Sequence, residues 1–153
     1  MLVGSTRPAG TFAAVDTLLA RVTEEPLSVA EHEAAVDRAA AGAVVSFSGV
    51  VRDHDGGRSV TELEYTGHPT APALIAEIAA EFAARPDVHA VAVSHRIGLL
   101  AIGDVALACA VSASHRGQAF AACAELVDEV KARLPIWKRQ VFSDGQEEWV
   151  ACP

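Results

Sequence analysis

The chain has 153 residues, 51% of them hydrophobic and 21% charged, enough for one domain with a sizeable core. No apolar run approaches the roughly 18 residues that cross a bilayer, and the opening MLVGSTRPAGTF lacks a leader's long apolar stretch, so a cytoplasmic protein with no membrane partner is expected. A formal charge of −8 leaves no broad basic face for nucleic acid, and Cys109, Cys123 and Cys152 form no CxxC pair, so reduced thiols are expected rather than a disulfide framework.

Residues 1–16 are small and aperiodic and read as a loose lead-in, with a single domain expected over 17–153. LLARVTEEPLS suggests a short strand and turn. Ser28, with Glu31 three residues on, makes a capping box that starts a helix in SVAEHEAAVDRAA. GAVVSFSGVVR alternates and is β-branched, which predicts a strand; DHDGG, 53–57, reads as a loop, and SVTELEY, 59–65, as a second strand. In HPTAPALIAEIAAEFAARPD, Thr70 sits at a cap position, Pro72 suits the first turn, and Leu74, Ile75, Ile78 and Phe82 fall on one helical stripe.

VHAVAVSHRIG and DVALACAVSAS are apolar strands joined by LLAIG, with Cys109 expected in the core. RGQAFAACAELVDEVKARL is the longest helix, carries Cys123 in its apolar pattern and is stopped by Pro135. IWKRQVF and EEWVAC form a terminal hairpin around SDGQ. The order β-α-β-β-α-β-β-α-β-β, with short turns between adjacent strands, predicts an α+β fold. A mainly antiparallel sheet with about three helices packed on it is expected, not a doubly wound parallel sheet.

Three stretches carry candidate chemistry. KARLPIWKRQ, 131–140, holds the chain's two lysines, Lys131 and Lys138, flanked by Arg133 and Arg139 in an otherwise acidic protein. The break at Pro135 folds the following strand back, so both amines can converge on one pocket. A lysine crowded by cations has a lowered pKa and can serve as base or nucleophile. SASHRG, 112–117, ends a strand and opens the long helix, where free N–H groups together with His115 and Arg116 suit an anion. The similar SHRIG, 94–98, leads into a turn, so His95 and Arg96 read as structural. Arg52 ends a strand beside the glycine-rich 53–57 loop, a common place for a ligand contact. Asp53, His54 and Asp55 lack a further ligand at metal-site spacing, so no metal is assigned. Tyr65 can donate at a pocket wall. No Ser-His-Asp or Cys-His set is readable.

GAVVSFSGVVRDHD, LEYTGHPTA, HRIGLLAIGD, SASHRGQAF and VKARLPIWKRQ, in that order over about residues 22–151, resemble the large, catalytic subunit of molybdopterin synthase. The resemblance implies an α/β-hammerhead-like α+β fold. It implies conversion of cyclic pyranopterin monophosphate to molybdopterin, with sulfur delivered from the C-terminal thiocarboxylate of a small ubiquitin-like subunit whose tail threads into a pocket. It also implies a homodimer within a heterotetramer and no cofactor. The family's catalytic lysines fall on Lys131 and Lys138, and its substrate-binding positions on Arg52, His115, Arg116, Lys138 and Arg139; some of these would act across the dimer. Trp137 is expected to pack beneath the site. Gln140 stands where the family pattern carries a glutamate. The competing reading is a non-catalytic dimeric module that binds a phosphorylated small molecule or a ubiquitin-like protein through the same cations.

Overall fold

The computed structural model describes residues 18–151; the lead-in assigned to 1–16 and Cys152 lie outside the described residues. The elements are β1 (Leu18–Thr23), α1 (Val29–Ala35), β2 (Ala43–Val50), β3 (His54–Asp55), β4 (Arg58–Gly67), α2 (Ala71–Ala83), β5 (Val88–Arg96), β6 (Gly98–Leu100), β7 (Val105–Ala113), α3 (Arg116–Arg133), β8 (Ile136–Phe142) and β9 (Glu147–Ala151). All ten expected elements are present, and β3 and β6 are additional.

The strands form two sheets. The first runs β1-β5-β7-β2 and is antiparallel except where β1 lies parallel to β5. The second runs β3-β4-β8-β9, with β6 also on β4, and is antiparallel throughout. Both faces of the first sheet are covered, which explains why its central strands read as unbroken apolar runs. Val91, Val93, Leu107, Cys109 and Val111 pack against Ile75, Ile78 and Phe82 of α2 and Leu126 and Val130 of α3. The alternate positions Ala90, Ala92 and Ala110 face Val36 after α1, where alanine leaves room for close packing. Cys109 and Cys123 are buried core residues, and burial pushes both thiols up, which keeps them unreactive at neutral pH. Among the described residues no helix is long and apolar enough to cross a membrane.

Ser28 caps α1, its Oγ accepting from the Glu31 N–H at 3.1 Å. The Glu31 carboxylate pairs with Arg21 at 3.1 Å. His32 is fully buried and stitches α1 to β5, donating from Nδ1 to the Ser28 carbonyl at 2.6 Å and accepting at Nε2 from Ser94 Oγ at 2.7 Å. At α2, Thr70 occupies the cap position without a side-chain bond into the helix.

Two stretches differ from the sequence reading. DHDGG is not a plain loop: Gly56 (φ 57°) and Gly57 (φ 78°) turn a two-residue hairpin that pairs Asp55 with Arg58. Two successive left-handed residues are the chemistry of a type I′ turn, and Asp-Gly-Gly supplies it. LLAIG is likewise partly strand, since β6 pairs Gly98 with Tyr65 and Leu100 with Leu63. The connection from α3 to β8 is short. The Leu134 N–H closes the helix on Val130 at 2.9 Å, Pro135 forbids a further turn, and β8 then sets Lys138 opposite Tyr65.

Candidate active site

The α3–Pro135–β8 connection positions both lysines. Lys131 lies in the last turn of α3. In β8, Ile136, Gln140 and Phe142 are buried, so Lys138 shares their inward face by the two-residue period of a strand. The two lysines line one cavity of about 170 Å³ together with Arg52, His54, Asp55 and Gln140. The flanking arginines go elsewhere. Arg133 makes a two-pronged pair with Glu81 at 2.6 and 3.1 Å. Arg139, on the outward face of β8, lies among Glu62 at 2.6 Å, Glu147 at 3.0 Å and Glu64 at 3.6 Å. Glu62 foremost holds its guanidinium pKa above the usual value. Neither lysine takes part in the ion pairs found among the described residues.

Arg52, Lys131 and Lys138 therefore face a single carboxylate, Asp55, and make the cavity net positive in an acidic chain. Arg52 reaches that carboxylate at only 3.6 Å and its side chain stays 66% exposed, available to an incoming anion. The Asp55 carboxyl is held below the ordinary carboxylate range, chiefly because Gln140 Nε2 donates to it at 2.8 Å, with Lys138 and Arg52 adding to the effect. Gln140 is 2% exposed. An amide at this buried position can donate to Asp55, whereas an ionised carboxylate could only repel it. Gln140→Leu is expected to raise the Asp55 pKa toward that of an ordinary aspartate, read by carbon NMR of the carboxyl group. An unmoved Asp55 would assign its low pKa to the cations alone.

A second, inner cavity of about 90 Å³ shares Val50, Tyr65 and Lys131 with the first and extends to His95. Lys131 thus stands at a junction: charged groups on one side, and mainly apolar walls from Leu107, Leu134 and Ile136 on the other. His95 is 6% exposed, its ring meets Tyr65 edge-on at 5.0 Å, and its Nδ1–H donates to the Arg96 carbonyl at 2.8 Å.

Other expected site residues lie apart. His115 occupies the N-cap position of α3 without a side-chain bond into the helix, and Arg116 begins it, both exposed. Lys131 lies sixteen positions after His115 along α3, about 24 Å along the axis, so one chain does not bring them to the same cavity. Trp137 is not beneath the site: it shares the outward face with Arg139, is 40% exposed and lies 6.4 Å from the His68 ring. Strand parity separates it from Lys138. Arg96 is held by Asp104 at 3.2 Å and the Glu24 carbonyl at 3.3 Å, a structural clasp. His54 pairs with Asp53 at 2.7 Å, and among the described residues no group of three His, Cys, Asp or Glu could hold a metal ion. Sequence reasoning missed Gln140, Asp55 and the cavity-lining position of His95. Parity with Lys138 points to Gln140, and the Asp-Gly-Gly hairpin points to Asp55; His95 carries no such local signal.

Comparison with known proteins yields a consistent set. Residues 22–133 match the family model described as MoaE protein. A molybdopterin synthase catalytic subunit from Nostoc is 41% identical over 132 residues, which span 85% of this chain and 80% of that protein. A crystal structure of molybdopterin synthase from Staphylococcus aureus superposes with a TM-score of 0.79 at 31% identity, covering 86% of this chain and 96% of that one. A complex of subunits 1 and 2 of molybdopterin-converting factor from Helicobacter pylori, at TM-score 0.67 and 17% identity over 88% of this chain and 89% of its own, shares the fold.

Proposed function

Because the chain belongs to the MoaE family, the catalytic subunits of molybdopterin synthase, we propose that its two-lysine cavity transfers sulfur from the C-terminal thiocarboxylate of a small ubiquitin-like partner to cyclic pyranopterin monophosphate. The observation that carries this reading is that Lys131, Lys138 and Arg52 share one cavity while Arg133 and Arg139 are taken up by glutamates. Both reactants are anionic, and the transfer needs a group that can give and take protons.

The thiocarboxylate sulfur first bonds to a pterin carbon as a carbon–oxygen bond there breaks, which leaves the tail joined to the pterin as an acyl thioester; Lys138, on the inward face of β8, protonates the departing oxygen. Water then adds to the acyl carbon and the acyl C–S bond breaks, so the sulfur stays on the pterin and the tail leaves as a carboxylate. Lys131, at the junction of the two cavities, polarises the acyl carbonyl and exchanges the protons of this step. Arg52 holds the phosphate, with Asp55 and Gln140 fixing the cavity wall. Arg139 orients the strand that carries Lys138 through its three glutamates.

His115 and Arg116 complete the phosphate site from a second copy. Strand β2 is an edge of its sheet, with Val44 and Val50 exposed and an apolar groove of about 350 Å³ alongside, lined by Phe47, Phe120 and Cys123. An unpaired edge of this kind seeks another strand. Antiparallel, two-fold pairing of β2 with β2 lays Ala43 of one copy beside Val50 of the other. Ala43 lies opposite Ala113, two residues before His115, and Val50 lines the lysine cavity. The pairing therefore carries the start of one α3 to the other chain's Arg52.

The test is reconstitution. Purified chain, thiocarboxylated small subunit and cyclic pyranopterin monophosphate are mixed, and molybdopterin is quantified by mass spectrometry. Product is expected from the wild type. No product from a folded, partner-bound chain would leave a binding module in place of an enzyme.

A further inference from the structure

A carboxylate is out of place in a cavity that receives anions, yet Asp55 is fixed there. It ends β3, just before the glycine pair that turns the hairpin. Its Oδ2 accepts from Gln140 Nε2 at 2.8 Å, and Gln140 is itself buried in β8. Its Oδ1 stands 3.6 Å from Arg52 Nη2, longer than a hydrogen bond but within reach of Coulomb attraction. The Asp55 side chain is 38% exposed, so an anion entering beside Arg52 meets its charge. The Gln140 bond foremost keeps its pKa low, and it is ionised at neutral pH. Among the described residues that line this cavity Asp55 is the one carboxylate, set against Arg52, Lys131 and Lys138. Holding the cavity wall does not call for a charge, since an asparagine would accept the same bond from Gln140.

We infer that Asp55 is a specificity-determining residue that sets the charge of the anion this cavity takes: beside Arg52, its carboxylate matches the site to a singly charged group and weighs against a doubly charged one. Attraction and repulsion both scale with the charge of the ligand. Three cations with no carboxylate would favour a dianion, and inorganic phosphate or a phosphomonoester would then compete with any monoanion. Asp55 cancels part of that attraction. The loss to a dianion is twice the loss to a monoanion, so the difference in affinity moves toward the monoanion. Both proposed reactants fit: a thiocarboxylate carries one negative charge, and so does a cyclic phosphate, which is a diester. The charge preference itself is independent of the sulfur-transfer reading; its value to turnover rests on that reading.

The probes are methyl phosphate, a dianion above its second pKa of about 6, and dimethyl phosphate, a monoanion of the same chemistry. Each is titrated by NMR into wild type and Asp55→Asn at a pH of about 8. Asparagine keeps the acceptor for Gln140, so the variant loses the charge and not the wall. It is expected to bind methyl phosphate about tenfold more tightly than wild type and dimethyl phosphate about threefold more tightly, the squared relation that Coulomb's law gives for two charges against one. Equal gains for the two probes, a gain for neither, or weaker binding by the folded variant would overturn this role for Asp55. In the reconstituted assay, methyl phosphate is expected to inhibit Asp55→Asn at about a tenth of the concentration that inhibits wild type. If the two affinities shift as stated but wild type makes no product, the sulfur-transfer reading fails and the charge preference stands. If product forms and the affinities do not shift, the charge preference fails alone.

Discussion

Lys131→Arg is expected to cut molybdopterin formation by about a hundredfold to a thousandfold, the range for loss of a positioned proton-transfer group, while leaving partner binding nearly intact. Arginine keeps the positive charge but not the chemistry, since its guanidinium does not deprotonate in proteins and its planar fork is wider than an ammonium. The space is also unsuitable: Lys131 borders an inner cavity of about 90 Å³ that it shares with Tyr65 and Val50. Lys131→Ala should lose as much turnover and, in addition, weaken capture of the anionic tail. The comparison is made at saturating partner, after confirming that each variant folds and binds the small subunit. A near-wild-type rate for the arginine variant would reduce Lys131 to a source of charge and shift the proton chemistry to Lys138.

The helices, the main strands and the convergence of the two lysines were legible because each rests on local chemistry. Ser28 caps α1, Pro135 ends α3, and the β8 period sets which residues share a face. What stayed hidden depends on pairings distant in sequence. Asp55 meets Gln140, 85 residues away, through a hairpin that the glycines of 53–57 permit but do not announce. That His95 lines a cavity depends on what its strand end borders, information held by β4 and α3 rather than by SHRIG. Trp137 lies apart from the site for a simpler reason: it is next to Lys138 in sequence, but adjacent strand residues point to opposite faces.

The four basic residues of KARLPIWKRQ illustrate a division of labour. Arg133 and Arg139 find carboxylates on neighbouring elements, where a planar guanidinium makes paired hydrogen bonds. Those pairs tie α3 to α2 and β8 to β4 and β9. The lysines, compact and in no ion pair among the described residues, are left to the cavity. A charge count of the stretch cannot make this distinction, because it depends on where Glu62, Glu81, Glu129 and Glu147 stand in the fold.

Two inactive chains are expected to make one active dimer. A Lys131→Ala chain lacks the amine, and an Arg116→Ala chain lacks the helix-start cation. If each site takes Arg116 from the opposite copy, a mixed dimer places both lesions in one site and leaves the other whole. Random mixing makes half the dimers mixed, each with one working site, so the activity should recover to about a quarter of wild type from two nearly inert parents. The assay runs below KM, where loss of a phosphate contact is felt most. Were Arg116 to serve its own chain's cavity, no mixture could contain an intact site, and the rate would stay at the parental average. The roughly 24 Å of helix between His115 and Lys131 argues for recovery. Placing a charge in the β2 groove, as in Phe120→Glu, should abolish that recovery by preventing the dimer while each chain still folds. Recovery that survives a proven monomer would break the link between the β2 edge and the site.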